Sequence, residues 1–393
     1  MQRTPETVLC LSHLRWNFVF QRPQHLLSRC AADRRVVFFE EPLHDVATPE
    51  LEISATESGV LTSVPHLPAN LPSEDAEDIQ RRMIDHVLDE LDAPEPLLWY
   101  YTPIPIAFTE HLNAIAIVYD CMDELTMFHG ASPLLGHREK RLLARADVVF
   151  TGGHSLYEHK RGVHHNIHPF PSSVDVPHFA RAREPGDEPA DQAAIPPRRV
   201  GFFGVIDERL NVDLIAELAD ARPDLHFVMI GPTAKIDPTA LPRRNNIHWL
   251  GPKLYTELPA YLAGWDVAMM PFALNDSTRF ISPTKTPEYL AAGKPVVSTS
   301  IRDVVRPYGE RGLAWIADGT AEFANAIDDA LASESAARIA HADAFLAELS
   351  WDRTWSEMWA HVERVLVTQE LDATNLFSAR GAAQHQLTTR EER

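Results

Sequence analysis

The chain has 393 residues, 45% of them apolar and 23% charged, which excludes wholesale disorder and, at about 150 residues per domain, predicts two or three domains. Lys and Arg number 36 against 56 Asp and Glu, and the resulting net charge of −20 argues against a non-specific nucleic-acid binder, whose affinity comes from basic side chains. Cys10, Cys30 and Cys121 form no CxxC pair and are too few for a disulfide framework, which fits a reducing compartment. No apolar run reaches the roughly 18 residues of a membrane span, and the N-terminal apolar segment is too short for a secretory leader, so a cytoplasmic location is expected.

In chain order, short apolar runs rich in Val, Ile, Phe and Tyr alternate with longer amphipathic stretches, the rhythm of βαβ units around parallel sheets. The first half predicts strands at Val8–Leu14, Val36–Glu40, Leu97–Tyr101, Ala114–Asp120, Asp147–Thr151 and Ile167–Phe170, with a further hairpin in Leu51–Val64. Helices are expected at Pro23–Ala32, Glu74–Leu91, Leu134–Ala144 and Ser155–Arg161. The stretch Arg183–Arg199 carries four prolines, several acids and no large aromatic residue, and is expected to be a linker or surface loop with no face to bury. The alternation then resumes, with strands at Arg199–Phe203, His226–Ile230, Ile247–Leu250, Val267–Met270, Val296–Thr299 and Leu313–Ile316. Helices are predicted at Asn211–Ala221, Glu257–Ala263, a short segment ending near Ala292, and Ala321–Leu331. From about Glu334 to Val367 the pattern is helical, and Thr368–Arg393 is polar and expected to be mobile. The implied architecture is α/β: two doubly wound domains of similar size, facing a cleft at the carboxyl ends of their strands, followed by C-terminal helices.

The most informative segment is Phe280–Ser300, FISPTKTPEYLAAGKPVVSTS. Ser282 or Thr286 is the expected N-cap of a short helix, with Pro283 or Pro287 as its first residue, and Gly293 followed by Pro295 ends it. Such a helix start offers free amides and the positive end of a dipole to an anion, and Lys285 adds a charge beside it. The plainer alternative is a solvated Lys285 and a Glu288 that only complements the dipole. The run PEYLAAGKPVVST resembles the donor-site segment of retaining GT-B glycosyltransferases, known as glycosyl transferases group 1 or family 4-like. RVGFFG at Arg199–Gly204, FVMIG at Phe227–Gly231, NIHWLGP at Asn246–Pro252 and PFPSSVDVPHF from Pro169 resemble further segments of that family at matching distances. SHLRWNFVFQRPQHLLSR resembles a bacterial subset with a Trp followed by QRPQH at the first helix, in place of the usual glycine-rich loop.

The resemblance implies a GT-B fold with two Rossmann-like domains. It places an acceptor-binding domain at 1–180 completed by a C-terminal helix at 351–367, a linker at 181–198, a nucleotide-sugar domain at 199–350 and a polar tail at 368–393. Glu288 is implied to hold the ribose, and Gly204, Gly231, Pro252, Ser282, Thr284 and Thr286 to complete the donor site; Lys285 and Arg209, the latter one residue from a usual basic position, are the expected cations that neutralise the diphosphate. Where the family carries a second Glu eight positions earlier, this chain has Phe280, and the usual Arg and Lys positions are Val205 and Leu210.

On the acceptor side, Trp16, Arg22, Gln24 and His25 cluster at a strand-to-helix turn, where an Arg at a helix start calls for an anion or carboxylate nearby. Its partner is either an acceptor phosphate or a neighbouring acid. Asp120 ends a buried strand and is a candidate to hold sugar hydroxyls or steady developing positive charge, with Asp123 next in line; a capped turn is the alternative. His154 follows a strand and is a candidate cleft residue, but the spacing of His154, His159, His164, His165 and His168 matches no metal motif. No GxSxG, P-loop or GxGxxG is present. The expected activity is transfer of a UDP- or GDP-linked sugar to a glycan or lipid-linked acceptor, with retention and without a metal or other cofactor, in bacterial polysaccharide or glycoconjugate synthesis. A degenerate GT-B protein that binds carbohydrate or nucleotide without transfer, or a sugar-nucleotide epimerase, is the alternative. HREKRLLAR at His137–Arg145 is basic and amphipathic, a possible peripheral contact with anionic lipid or a solvated face.

Overall fold

The computed structural model describes the backbone of residues 5–391 and the side chains of residues 5–371. The first sheet is built from β1 (Thr7–Leu11), β2 (Arg35–Phe39), β3 (Glu50–Ala55), β4 (Leu61–His66), β5 (Leu97–Tyr100), β6 (Ala116–Cys121), β7 (Val148–Thr151) and β8 (Ile167–Pro169). Its spatial order is β3-β4-β2-β1-β5-β6-β7-β8, parallel throughout except for the antiparallel β3–β4 edge hairpin. The second sheet contains β9 (Arg199–Phe203), β10 (His226–Ile230), β11 (Ile247–Gly251), β12 (Val267–Met270), β13 (Val296–Ser298) and β14 (Trp315–Ile316), in the order β11-β10-β9-β12-β13-β14. That order is the doubly wound dinucleotide-fold arrangement, which reverses direction beside β9 and leaves a crevice at the carboxyl ends of β9 and β12.

The strands are near-continuous apolar runs because helices cover both faces of each sheet. Along β6, Ala116 and Val118 point to the face packed by the Arg22–Cys30 helix and by Trp351, Met358, Trp359, Val362 and Leu366 of the Trp351–Glu391 helix. Ile117, Tyr119 and Cys121 point to the opposite face, under the Ser73–Glu90 and Leu135–Arg145 helices. The last helix therefore crosses back onto the first sheet, and its Trp stripe is packing.

Asp120 shares the face of Ala116 and Val118 by strand alternation. Its carboxylate is wholly buried and receives Arg22 Nε at 3.1 and 3.0 Å and Nη2 at 2.8 Å. Arg22 also donates to the Phe170 carbonyl at 2.7 Å and reaches the Met358 sulfur at 3.6 Å. One guanidinium thus joins the first helix, β6, the residue after β8 and the last helix.

Four expectations change. β1 ends at Leu11, not Leu14, because Ser12 Oγ accepts from Leu14 N and turns the chain. The 181–198 stretch is not a bare linker: Gln192 is fully buried, donating to the Tyr261 carbonyl at 2.9 Å and accepting from Trp265 Nε1 at 2.9 Å. The expected polar tail is helical, since Trp351–Glu391 is one element. The basic stretch at 137–145 is no free cationic face: Arg138 pairs with Glu77, Arg141 with Glu110, and Arg145 donates to the Glu110 carbonyl. Among the described residues no helix is long and apolar enough to cross a membrane.

Removing one partner of the Arg22–Asp120 pair leaves an uncompensated buried charge. Asp120→Asn is expected to cost about 3–5 kcal/mol of stability, and Arg22→Met with Asp120→Leu to recover most of it. Denaturant unfolding of the three proteins checks this, and a double variant no more stable than Asp120→Asn contradicts it.

Candidate functional site

The carboxyl ends of the two sheets face each other, and Asp123, Gly152, Gly204, Arg209 and Lys285 line a cavity between them of about 90 Å³. On the second domain, Gly204 and Gly231 adopt φ of +150° and +144°, which L side chains rarely reach. A Cβ at Gly231 would collide with the Gly204 carbonyl, and one at Gly204 would lie 2.9 Å from Lys285 Cε. The two glycines let the turns after β9 and β10 nest, with the Lys285 side chain laid over them.

The Lys285–Ala291 helix starts at Thr284, not at Ser282 or Thr286 as the sequence suggests. Ser282 precedes the cap and lines the cavity with Thr284. Thr286 is fully buried with its hydroxyl 3.4 Å from the Met270 sulfur, so it packs the core and is no donor contact. Pro287 is tolerated because first-turn amides lack helical partners. Gly293, at φ +74°, ends the helix as expected.

Lys285 Nζ donates to Thr284 Oγ1 at 3.1 Å, and burial pushes its pKa down. Glu288, one turn along, is 6% exposed, and its Oε2 has no hydrogen-bond partner among the described residues. Burial pushes its pKa up to about 7, against the opposing pull of Lys285. The Tyr255 hydroxyl, in the loop after β11, is also buried without a partner and lies in the field of Glu288. Unpaired buried polar atoms are costly, and two that feel each other's charge are candidates for bonds that a ligand supplies.

Arg209 lines the cavity, but Asp207 grips it, with Nε 3.0 Å from both carboxylate oxygens and Nη2 2.6 Å from Oδ2. Its Nη1 has no partner among the described residues. Across the cleft stands Asp123, whose pKa burial raises while the Arg209 charge opposes. The carboxylate at the cleft wall is therefore Asp123. Asp120 is enclosed by Arg22 and is corrected from a catalytic to a structural residue.

Residues 197–333 match the model of the family described as glycosyl transferases group 1. A curated protein of Bacillus subtilis, "Putative teichuronic acid biosynthesis glycosyltransferase TuaH", is 28% identical over 247 residues, which are 56% of this chain and 61% of that protein. The fold is GT-B, and residues 197–333 are similar to the glycosyl transferases group 1. Solved structures share the whole fold. The sucrose-phosphate synthase of Thermosynechococcus elongatus has a TM-score of 0.63 at 15% identity, covering 95% of this chain and all of that one. A UDP-forming α,α-trehalose-phosphate synthase of Burkholderia xenovorans scores 0.67 at 14% identity, covering 92% and 99%. Anabaena Alr3699/HepE, in complex with UDP and glucose, scores 0.62 at 14% identity, covering 90% and 98%.

In this GT-B frame the remaining candidates separate into wall, core and surface. Arg22 borders the cavity, but its guanidinium is engaged by Asp120, so the neighbouring acid is its partner. Trp16 is core: its ring meets Phe38 edge-on at 5.1 Å, and its amide donates to Glu40 at 2.9 Å. Gln24 ties down the preceding loop, donating to the Trp16 and Val19 carbonyls at 2.6 and 3.1 Å. His25 stacks on Trp351 at 4.5 Å, and burial lowers its pKa to about 3, so it is a neutral packing residue. Pro252 and His154 are exposed. His164 and His168 bond to Asn166, and among the described residues no group of three or more His, Cys, Asp or Glu is placed to hold a metal.

Sequence reasoning missed Tyr255 and Asp207 in the site, and it missed the contacts that close the cleft. Tyr255 three residues beyond Pro252, and Asp207 two before Arg209, were visible but unremarkable without their neighbours. Phe280, standing where the family carries an acid, is buried among N-terminal core residues and stacks on His159 at 4.6 Å. Asp303 accepts from Ser155 N at 3.0 Å across the interface, capping the His154–Lys160 helix. Arg302 and Arg306 both pair with Glu158 on the same helix. At the other side Phe20 stacks on Tyr255 at 4.5 Å.

Asp303→Ala removes a charge-assisted bond worth about 1.5–3 kcal/mol, or roughly ten- to hundredfold in the closed-to-open ratio. Combined with Glu158→Ala, it is expected to enlarge the radius of gyration in small-angle X-ray scattering. An unchanged scattering profile would show that these contacts do not hold the cleft shut.

Proposed function

We propose that the chain transfers a sugar from a UDP- or GDP-linked donor on the 199–350 domain to a glycan or lipid-linked acceptor on the first domain, in bacterial polysaccharide or glycoconjugate synthesis. The observation that carries this reading is the pair of orphaned buried polar atoms, Glu288 Oε2 and the Tyr255 hydroxyl, beside Lys285 at a helix start. A ribose diol would donate to Glu288. The diphosphate would lie against Lys285, the free Nη1 of Arg209 and the turn at Gly204. The named relative in teichuronic acid biosynthesis and the neighbour holding UDP and glucose support the donor class and the pathway type.

The chemistry suits fixed cations instead of a metal. As the bond between the anomeric carbon and the diphosphate breaks, Lys285 and Arg209 stabilise the charge that develops on the leaving oxygen. In the retaining course implied by the family, the acceptor oxygen bonds to the anomeric carbon on the same face. Its proton passes to the departing phosphate. Asp123, across the cleft, is positioned to steady positive charge on the sugar, the role first assigned to Asp120. We place the protein in the cytoplasm, with any membrane contact peripheral.

The direct test is thermal unfolding with UDP-, GDP-, ADP- and TDP-sugars, with and without Mg²⁺. A donor at 100 times its Kd adds roughly 2.7 kcal/mol, which at about 2–4 °C per kcal/mol raises the midpoint by several degrees. One nucleotide class is expected to shift it regardless of Mg²⁺. Lys285→Ala and Glu288→Ala are each expected to weaken binding by roughly ten- to hundredfold. Full binding by both variants sinks the assignment of the site. Binding without turnover favours the non-transferring alternative, which the aromatic Phe280 in place of the family's acid makes specific.

Binding should also depend on pH. Ribose hydroxyls favour the ionised Glu288, whose pKa in the free protein is raised to about 7, so donor binding releases a proton. Affinity for a UDP-sugar, whose diphosphate diester does not titrate in this range, is expected to fall below about pH 7, approaching roughly tenfold per pH unit. Calorimetric titration should show this slope flattened in Glu288→Gln.

A further inference from the structure

The first domain holds a second, larger cavity, of about 420 Å³, at the carboxyl edge of its sheet. It lies at the ends of β2, β1 and β5, next along the edge from the Asp123 wall that follows β6. Its volume falls within the roughly 300–1,000 Å³ typical of ligand pockets. Four polar side chains that line it are more than nine-tenths buried: Ser12, Glu40, Gln80 and Thr102. Ser12 and Thr102 accept from the amides of Leu14 and Ile104, and Gln80 donates to the Ala76 carbonyl at 3.1 Å. Both hydroxyl protons and the Gln80 carbonyl oxygen therefore remain available to a ligand. Phe39 and Phe108 supply buried apolar walls.

The charges of the lining cancel except at Glu41. Glu40 is paired by Arg15, Glu77 by Arg138, whose guanidinium also donates to the Ile104 carbonyl, and the His44 ring is hydrogen-bonded to the Pro68 carbonyl, which leaves Glu41 as the carboxylate without an ion-pair partner among the described residues. Arg15, behind Glu40, is held by that carboxylate and by the carbonyls of Glu41 and Pro42. Lys235, in the field of Glu41, belongs to the other domain and does not line the cavity. A phosphate or carboxylate brought here would meet the Glu41 carboxylate and, among the described residues, no lining guanidinium that is not already paired. Sugar hydroxyls would meet acceptors, donors and ring faces.

We propose that this cavity seats the acceptor and takes a neutral, hydroxyl-rich sugar unit, discriminating against phosphorylated and carboxylated sugars. The proposal rests on the transferase reading for the word acceptor, but the binding preference is a property of the cavity alone. Saturation-transfer NMR on the full chain with saturating UDP would titrate glucose, galactose and N-acetylglucosamine, then glucose 6-phosphate and glucuronic acid. At least one neutral sugar is expected to bind, with its anionic counterpart at least roughly tenfold weaker. Ala76→Trp, which fills the cavity from a helix, should abolish sugar binding and leave the UDP-induced thermal shift unchanged. Glu41→Arg should move the ratio of glucose 6-phosphate to glucose affinity by roughly tenfold toward the phosphate. Failure of every neutral sugar, equal binding of the anionic ones, or sugar binding that survives Ala76→Trp each overturns the proposal. Loss of UDP binding alone, with the sugar preference intact, defeats the donor site and leaves this cavity standing.

Discussion

The first domain is organised around a single buried ion pair. Arg22 begins a helix, where the dipole disfavours its charge, and Asp120 sits inside a strand with no water in reach. Neither charge is tolerable alone in that place. Together, with the Phe170 carbonyl and the Met358 sulfur, they bind four elements distant in sequence. The last helix is one of the four, so the domain is complete only after the chain has passed through the second domain and returned.

The cleft is closed by contacts that use few residues and little surface. The short His154–Lys160 helix receives most of them: Asp303 at its start, Arg302 and Arg306 on Glu158, and the Phe280 ring on His159. Behind it, Lys160 is buried between Glu124 and Glu139 at 2.6 and 2.8 Å, which anchors the helix to its own domain. The donor segment and the clamp are thus neighbours in sequence, with Phe280 and Glu288 eight residues apart. A motion that opens the cleft would pull on the segment proposed to hold the nucleotide, so in that reading donor binding and closure are coupled.

How much of this was legible in advance varies with range. The alternation of short apolar runs placed the strands to within a few residues, since each run must be buried on both faces. Gly293 was legible as a helix end, where a positive φ has few other solutions, whereas the positive φ of Gly204 and Gly231 appears only in the structure. The helix that carries Lys285 and Glu288 was legible from its flanking Pro and Gly residues. Asp120 was misplaced because an acid near the end of a strand has two faces to choose from, and the choice depends on what packs there. Trp16, Gln24 and His25 were misplaced for the same reason: they stand near the cleft but are held by Phe38, by loop carbonyls and by Trp351.

By itself, then, the sequence determined the α/β architecture, its division into two sheets, and the short helix that sets Lys285 and Glu288 one turn apart, all of which follow from periodicity and from residues within one turn of each other. Tertiary structure decided which charges meet a ligand and which meet each other. Asp120 finds Arg22 from 98 residues away and Ser155 finds Asp303 from 148. Glu288 finds no partner for one oxygen among the described residues. A charged side chain is structural when the fold supplies its counter-charge and functional when the fold withholds it, and that supply comes from elements too distant in the chain for any local pattern to reveal.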